Sequence, residues 1–272
     1  MITMVREITL GQYVHGKSLL HKTDPRMKIV LLTLFIIFVF VSNNFISLGI
    51  MAVFCIVAML LSGIKVKMYV KSLKAIMFLA LFTGVINLFT GSGEPLWQWW
   101  FLQITPLGIR NAIFYFFRII ILVVVSAVLT YTTTPTDLTD AIERLLKPLT
   151  FFHVKVQMLA MMMTIALRFI PTLLNETDKI MNAQKARGAD MESGNFIKKI
   201  KAFVPILIPL FISSFRRAGD LATAMECRCY SVDIHRTRMK VLHIHLRDII
   251  ALIVSVLVCV CVVLSNLFLN II

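Results

Sequence analysis

The chain has 272 residues, 58 % of them hydrophobic and 15 % charged, with 20 phenylalanines and a formal net charge of +14. That composition excludes an ordinary soluble globular domain and makes the bilayer one of the chain's solvents. The positive excess does not argue for nucleic acid, because most of it sits beside apolar runs, where cytoplasmic retention and anionic lipid account for it.

The first 20 residues are mixed and polar, with no cleavable signal, so the first apolar run is expected to direct insertion. Runs long enough to cross ~30 Å of hydrocarbon fall at residues 28–46, 47–64, 73–90, 107–131 and 248–270, giving about five predicted transmembrane helices. The first two meet at Ser42-Asn43-Asn44, which leaves room only for a tight hairpin. Of the cysteines, Cys55, Cys259 and Cys261 fall inside these runs and Cys227 and Cys229 inside the cell, so disulfides are not expected. The reading is an all-α integral membrane protein in three parts. Residues 1–131 hold an N-terminal segment and four spans, 132–247 a cytoplasmic coupling segment, and 248–272 the last span.

Of 28 lysines and arginines, 26 lie in residues 1–28, 65–74 and 132–247; the exceptions are Arg110 and Arg118. Short basic loops stay inside, which predicts a multi-pass protein of a bacterial or archaeal cell membrane with its N-terminus cytoplasmic and its C-terminus outside. The loop over residues 91–106 has no lysine or arginine but carries Trp97, Trp99 and Trp100, rings suited to an outer interfacial belt. Arg118 falls at membrane depth, where it either pairs within the bundle or snorkels outward.

The segment 132–247 opens on a helix start: Thr134 can cap, Pro135 suits the first turn, and Asp137 favours the positive end of the dipole. Leu138, Ile142, Leu145 and Leu149 then recur at helical spacing up to Pro148, which ends or kinks the helix. A long helical pattern runs from Val154 to Arg187, interrupted at Pro171 and closed by Gly188. A second runs from Asn195 to Arg228 with Pro205 and Pro209 inside. The prolines are expected to kink each into an apolar proximal half and a polar distal half. The apolar halves either lie at the membrane boundary, pack on a partner or partly enter the bilayer. Charges at Lys155 and Arg168 bracket only 12 residues, and Lys201 and Arg216 only 14, which argues against full crossings. Met158, Met161, Met162 and Met163 read either as core filler or as an adaptable contact surface.

Each long pattern ends on an arginine between two small residues, Ala186-Arg187-Gly188 and Cys227-Arg228-Cys229, 41 positions apart. Small flanks permit close approach to another backbone, and the guanidinium offers a fixed fork of donors to a carboxylate or to carbonyl oxygens. The alternative is local pairing with Asp190, Glu192, Glu226 or Asp233. Cys227 and Cys229 also admit a metal-site reading, although only His243 and His245 add further ligands. A membrane enzyme is the rival class, but the chain has no His-Glu-x-x-His and no glycine-rich loop ending in Gly-Lys-Ser/Thr.

Several strings together resemble one family. They are Gly11-Gln12-Tyr13, Ser18 to Lys28, Thr132-Thr133-Thr134-Pro135 with Leu138, Leu167-Arg168-Phe169-Ile170-Pro171, and the two arginine motifs. In this order the chain resembles the transmembrane T component of energy-coupling factor transporters, the family of the cobalt-transport permease subunit. The resemblance implies two ABC-type ATPase subunits and one or more small membrane substrate-binding S components as partners, with lipid around them. It implies no cofactor bound by this chain, ATP and Mg being used by the partner ATPases, and a cargo that is a vitamin or a metal ion. Ala186, Arg187, Gly188, Cys227, Arg228 and Cys229 then meet the ATPases, while Met158, Met161, Met162, Met163, Pro171, Pro205 and Pro209 meet the S component. Cysteine stands at 229 where the family commonly has glycine, which puts in question a backbone angle that glycine adopts readily.

Overall fold

The first long helix, α1 (Pro25–Val41), starts where the sequence makes starting easy: Pro25 suits the first turn, and the Asp24 carboxylate accepts the Arg26 amide at 2.9 Å. After residues 42–44 come α2 (Phe45–Ser62) and α3 (Val66–Phe89). This is a computed structural model, and it describes residues 13–90, 97–99, 102–189, 196–231 and 245–270. The remaining elements are α4 (Pro106–Thr132), α5 (Pro135–Leu146), α6 (Val156–Ala186), α7 (Phe196–Cys227) and α8 (Leu246–Asn270).

The tryptophan-bearing loop contains a feature the hydropathy pattern misses. Trp97–Trp99 (β1) and Leu102–Ile104 (β2) pair antiparallel, with Gln98 opposite Gln103. A two-stranded ribbon this short leaves only a weak alternation in the sequence.

The five expected spans are all present as helices, α1, α2, α3, α4 and α8. Among the described residues six helices are long and apolar enough to cross a membrane, namely α2, α3, α4, α6, residues 201–227 of α7, and α8, whereas α1 with 17 residues is shorter. α6 and α7 continue through Pro171, Pro205 and Pro209 as helices of 31 and 32 residues. An internal proline removes one donor and crowds one carbonyl, but the bonds on either side persist when tertiary contacts or lipid favour the helix.

The chain divides into two compact units, residues 11–141 with 242–272 and residues 1–10 with 142–241, the boundary falling within α5. The first is called the bundle unit here and the second the tip unit. In the bundle unit α4 packs against α1, α2 and α3, and α8 against α1 and α2. Their shared core includes Phe35, Val39, Met51, Cys55, Tyr69, Phe114, Ile121, Val124, Tyr131 and Val262. Gly108 lets α3 and α4 approach: a Cβ there would overlap the Leu88 carbonyl oxygen.

Polar contacts at each end of the bundle fix the directions of three helices. Asp24 meets Asp248 at one end, while Asn43 meets Asn266 at the other, so α1 and α8 run parallel. Lys28 meets Thr132 and Arg118 meets Ser42, so α4 runs antiparallel to α1. The start of α1 and the end of α8 therefore lie at opposite ends of the bundle.

Candidate functional site: two arginine-tipped helix ends

Both arginine motifs finish their helices with the same backbone construction. At the end of α6 the Gly188 amide donates to Lys185 O at 2.9 Å and the Ala189 amide reaches back to Gln184 O at 3.0 Å. At the end of α7 the Cys229 amide donates to Glu226 O at 2.8 Å and the Tyr230 amide to Met225 O at 3.0 Å. This nested pair of bonds is the Schellman ending, and it needs a left-handed residue one place past the cap. Gly188 has φ +86° and Cys229 φ +55°. The angle that glycine adopts readily is thus adopted by cysteine here, at a cost of roughly 1–2 kcal/mol for a residue with a Cβ. Arg187 and Arg228 occupy equivalent cap positions, where a cation also complements the negative end of the helix dipole.

All six predicted docking residues, Ala186, Arg187, Gly188, Cys227, Arg228 and Cys229, are exposed. Among the described residues neither guanidinium has a side-chain partner, and Arg228 makes no ion pair with Glu226. Asp190, Glu192, Asp233 and His243 lie outside the described residues, so local pairing through them and the histidine pair are not on view. Cys227 and Cys229 are free thiols, and among the described residues no three His, Cys, Asp or Glu side chains gather as metal ligands.

The two tips are related through a contact the sequence reading did not single out. Arg217 of α7 donates to Glu176 of α6 at 2.8 Å, and Gln184 Nε2 donates to Pro205 O at 3.4 Å. Advancing along α6 from 176 to 184 thus retreats along α7 from 217 to 205, and the helices run antiparallel where they touch. Arg187 lies 11 residues beyond Glu176, and Arg228 lies 11 beyond Arg217. At 1.5 Å per residue each tip projects roughly 16 Å from the ion pair, in opposite directions. The equal offsets are visible in the sequence, but the antiparallel pairing that gives them meaning is not.

The remaining predicted contact residues lie along the same pair of helices. Met158, Met162, Met163, Pro171 and Pro205 are exposed, while Met161 and Pro209 are half-buried. Of the described residues in the tip unit only Val156, Ala160 and Ile206 are buried, so the methionines are surface rather than core.

The helix start at Thr134 is as expected: its hydroxyl accepts the Asp137 amide at 3.1 Å and donates to Asp137 Oδ2 at 2.8 Å. Immediately before it, Lys28 is buried and its ammonium donates to Thr132 O at 2.9 Å and Thr133 Oγ1 at 3.2 Å. Asp248, fully buried, accepts the amides of Asp24 at 3.2 Å and His245 at 2.9 Å. A cation thus closes the C-terminal end of α4, and an anion closes the N-terminal ends of α1 and α8, each at the dipole end that favours it. This knot was missed from sequence because Lys28 and Asp248 looked like residues flanking a span. Their separation of 220 positions gives no local signal.

Arg118 resolves as a bundle contact rather than an outward-reaching side chain. Its guanidinium donates to the Ser42 carbonyl at the end of α1 and lies 4.6 Å from the centre of the Phe114 ring and 5.3 Å from that of Tyr115. Nearby, Ser47 Oγ bonds Ser265 and Asn266 Oδ1, both at 2.7 Å, joining α2 to α8.

Comparison with known proteins bears on the whole of this architecture. The family described as Cobalt transport protein (CbiQ) matches residues 16–241. The energy-coupling factor transporter transmembrane protein EcfT of Ruminiclostridium cellulolyticum is 53 % identical over 247 residues, 91 % of this chain and 92 % of the relative. The protein of the same name from Clostridium kluyveri is 51 % identical over 260 residues, 94 % and 96 % of the two chains. That from Thermosediminibacter oceani is 47 % identical over 262 residues, 96 % and 99 % of the two. The arginine-tipped helices and most of the bundle fall inside the matched regions, and the chain belongs to the cobalt transport protein family, CbiQ, with the energy-coupling factor transporter transmembrane proteins.

Proposed function

We propose that this chain is the coupling scaffold of an ATP-driven importer, joining two ABC-type ATPases to a small membrane substrate-binding component. The single observation that carries the reading is the pair of exposed arginine caps, Arg187 and Arg228, identically ended and pointing away from one ion pair in opposite directions. Two like tips suit two like grooves. Each guanidinium would enter a groove on one ATPase and donate to carboxylate or carbonyl oxygens there, with Ala186 and Gly188, or Cys227 and Cys229, giving the clearance. Closure of the ATPases on Mg-ATP would shift the two tips, and α6 and α7 would carry that shift along their length. The exposed faces around Met158, Met162, Met163, Pro171 and Pro205 would pass it to the substrate-binding component, which releases its vitamin or metal ion inside. Hydrolysis belongs to the partners in this scheme, and the chain itself positions and transmits.

The distribution of basic residues supports an N-terminus in the cytoplasm, and the parallel course of α1 and α8 then sends the C-terminal end of α8 to the outer face. Purification of the tagged chain from its native membrane in mild detergent, with mass spectrometry and an ATPase assay on the eluate, tests the proposal. Two distinct cassette ATPases and at least one small hydrophobic protein are expected. A chain that elutes alone and inert would contradict it.

A further inference from the structure

Residues 146–155, which connect α5 to α6, are all exposed. They are not a polar loop: Phe151 is 85 % exposed and Phe152 75 %, with Leu146, Leu149 and Val154 also at the surface. Connecting segments that face only water are ordinarily polar, so this one is built for another medium.

The segment also has a fixed shape. Lys147–Phe152 forms a tight helical turn with Pro148 near its start, and the Thr150 hydroxyl donates to Lys147 O at 2.7 Å. The His153 amide closes the turn on Thr150 O at 3.1 Å, with His153 in the left-handed region at φ +62°. The rings of Phe151 and Phe152 stand edge to face, 5.8 Å between centres. Two large rings are therefore held outward together on a short rigid turn.

Charge identifies the occupant. Lys147 and Lys155 flank the rings, Arg144 precedes them, and no aspartate or glutamate occurs between Glu143 and Glu176. Six residues are too few to cross the bilayer, which takes about 20 in a helix. Aromatic rings beside lysines and without acids are the chemistry of the lipid interface, where rings rest at the acyl boundary and ammonium groups meet headgroup phosphates. We infer that residues 146–155 are an interfacial anchor that seats Phe151 and Phe152 in an anionic lipid surface, so that the tip unit has a membrane attachment of its own. A protein partner built to cover the same rings would not require the surrounding stretch to lack acids. Anionic lipid does, because carboxylates there would be repelled.

The test uses the full chain carrying Phe152→Trp, with Trp97, Trp99 and Trp100 replaced by Phe. It is reconstituted into phosphatidylcholine vesicles with or without about 30 % phosphatidylglycerol. The expected result is blue-shifted emission, quenched several-fold more by lipid bearing a nitroxide near the carbonyl end of its acyl chain than by aqueous iodide. Adding Lys147→Glu should reduce that quenching most in the vesicles containing phosphatidylglycerol. Should the tryptophan-free background not accumulate, the difference between Phe152→Trp in the otherwise native chain and the native chain gives the same reading. Water-like emission quenched by iodide would overturn the inference. So would a tryptophan shielded from both quenchers only when co-purified proteins are present, which would assign the rings to a protein partner.

Discussion

Both units display apolar side chains, but the bundle unit also buries a core and hydrogen-bonded polar groups, whereas the tip unit has almost no interior among its described residues. In the bundle, Ser42, Ser47, Thr105 and Asp248 are fully buried and hydrogen-bonded, and polar knots tie the helices at both ends. In the tip unit three described residues are buried, and the described ion pair between α6 and α7, Arg217 to Glu176, is partly open to solvent. Both knots lock helix ends together, although Asp24 Oδ2 in one and Arg118 Nε in the other are buried without a hydrogen-bond partner among the described residues, which costs part of what the paired groups contribute. A unit with so little interior obtains its stability from what surrounds it, lipid or protein. Substitutions in the bundle should therefore act on folding, and those in the tip unit on association.

The largest effect on folding is expected at Lys28. Lys28→Met removes both hydrogen bonds from a buried ammonium and leaves the end of α4 unsatisfied, which should destabilise the detergent-purified chain by about 2–4 kcal/mol. An unchanged thermal transition would break the contrast, since the knot would then hold nothing. Arg118→Leu comes next, at about 1–3 kcal/mol for the lost carbonyl contact and ring packing. The thermal transition of the detergent-purified chain should fall accordingly, and an unchanged transition would return Arg118 to a passive role.

The tip unit should respond weakly in the same assays. Cys229→Gly relieves a left-handed cysteine and should leave stability unchanged or raise it by about 1 kcal/mol, less the entropy that glycine adds to the unfolded chain. A marked loss in calorimetry would mean that the Cys229 side chain does more than fill space. Smallest of all, Glu176→Gln should shift stability by under about 1 kcal/mol, as expected for a partly exposed pair. A larger loss would make the α6–α7 contact a true core and blur the comparison.

Much of the bundle was legible because crossing a bilayer demands long apolar runs. The boundaries at Ser42-Asn43-Asn44 and at Thr134-Pro135 carry local signals that the structure follows. The arginine tips were legible as strings, since Gly188 and the small residues mark a helix end. The left-handed backbone at Cys229 was not legible, because its stabilisation comes from the amides of Cys229 and Tyr230 bonding back into the helix, not from a favourable residue type. The knot at Lys28 and the pairing of Glu176 with Arg217 join residues far apart in the chain, and no local pattern encodes such contacts. Pro171, Pro205 and Pro209 mark places where a helix bends or ends, and the sequence does not tell which; α6 and α7 continue through them.

The most direct measurement compares the native chain with the Arg187→Ala, Arg228→Ala double variant, purified in mild detergent with whatever ATPases remain attached. The coupling account predicts that the variant folds like the native chain, with a thermal transition within about 0.5 kcal/mol, as for exposed positions. It also predicts loss of most of its ATPase partners, because a charge-assisted contact deprived of its donor costs ~2–5 kcal/mol. A variant that retains both ATPases in native amounts would contradict it.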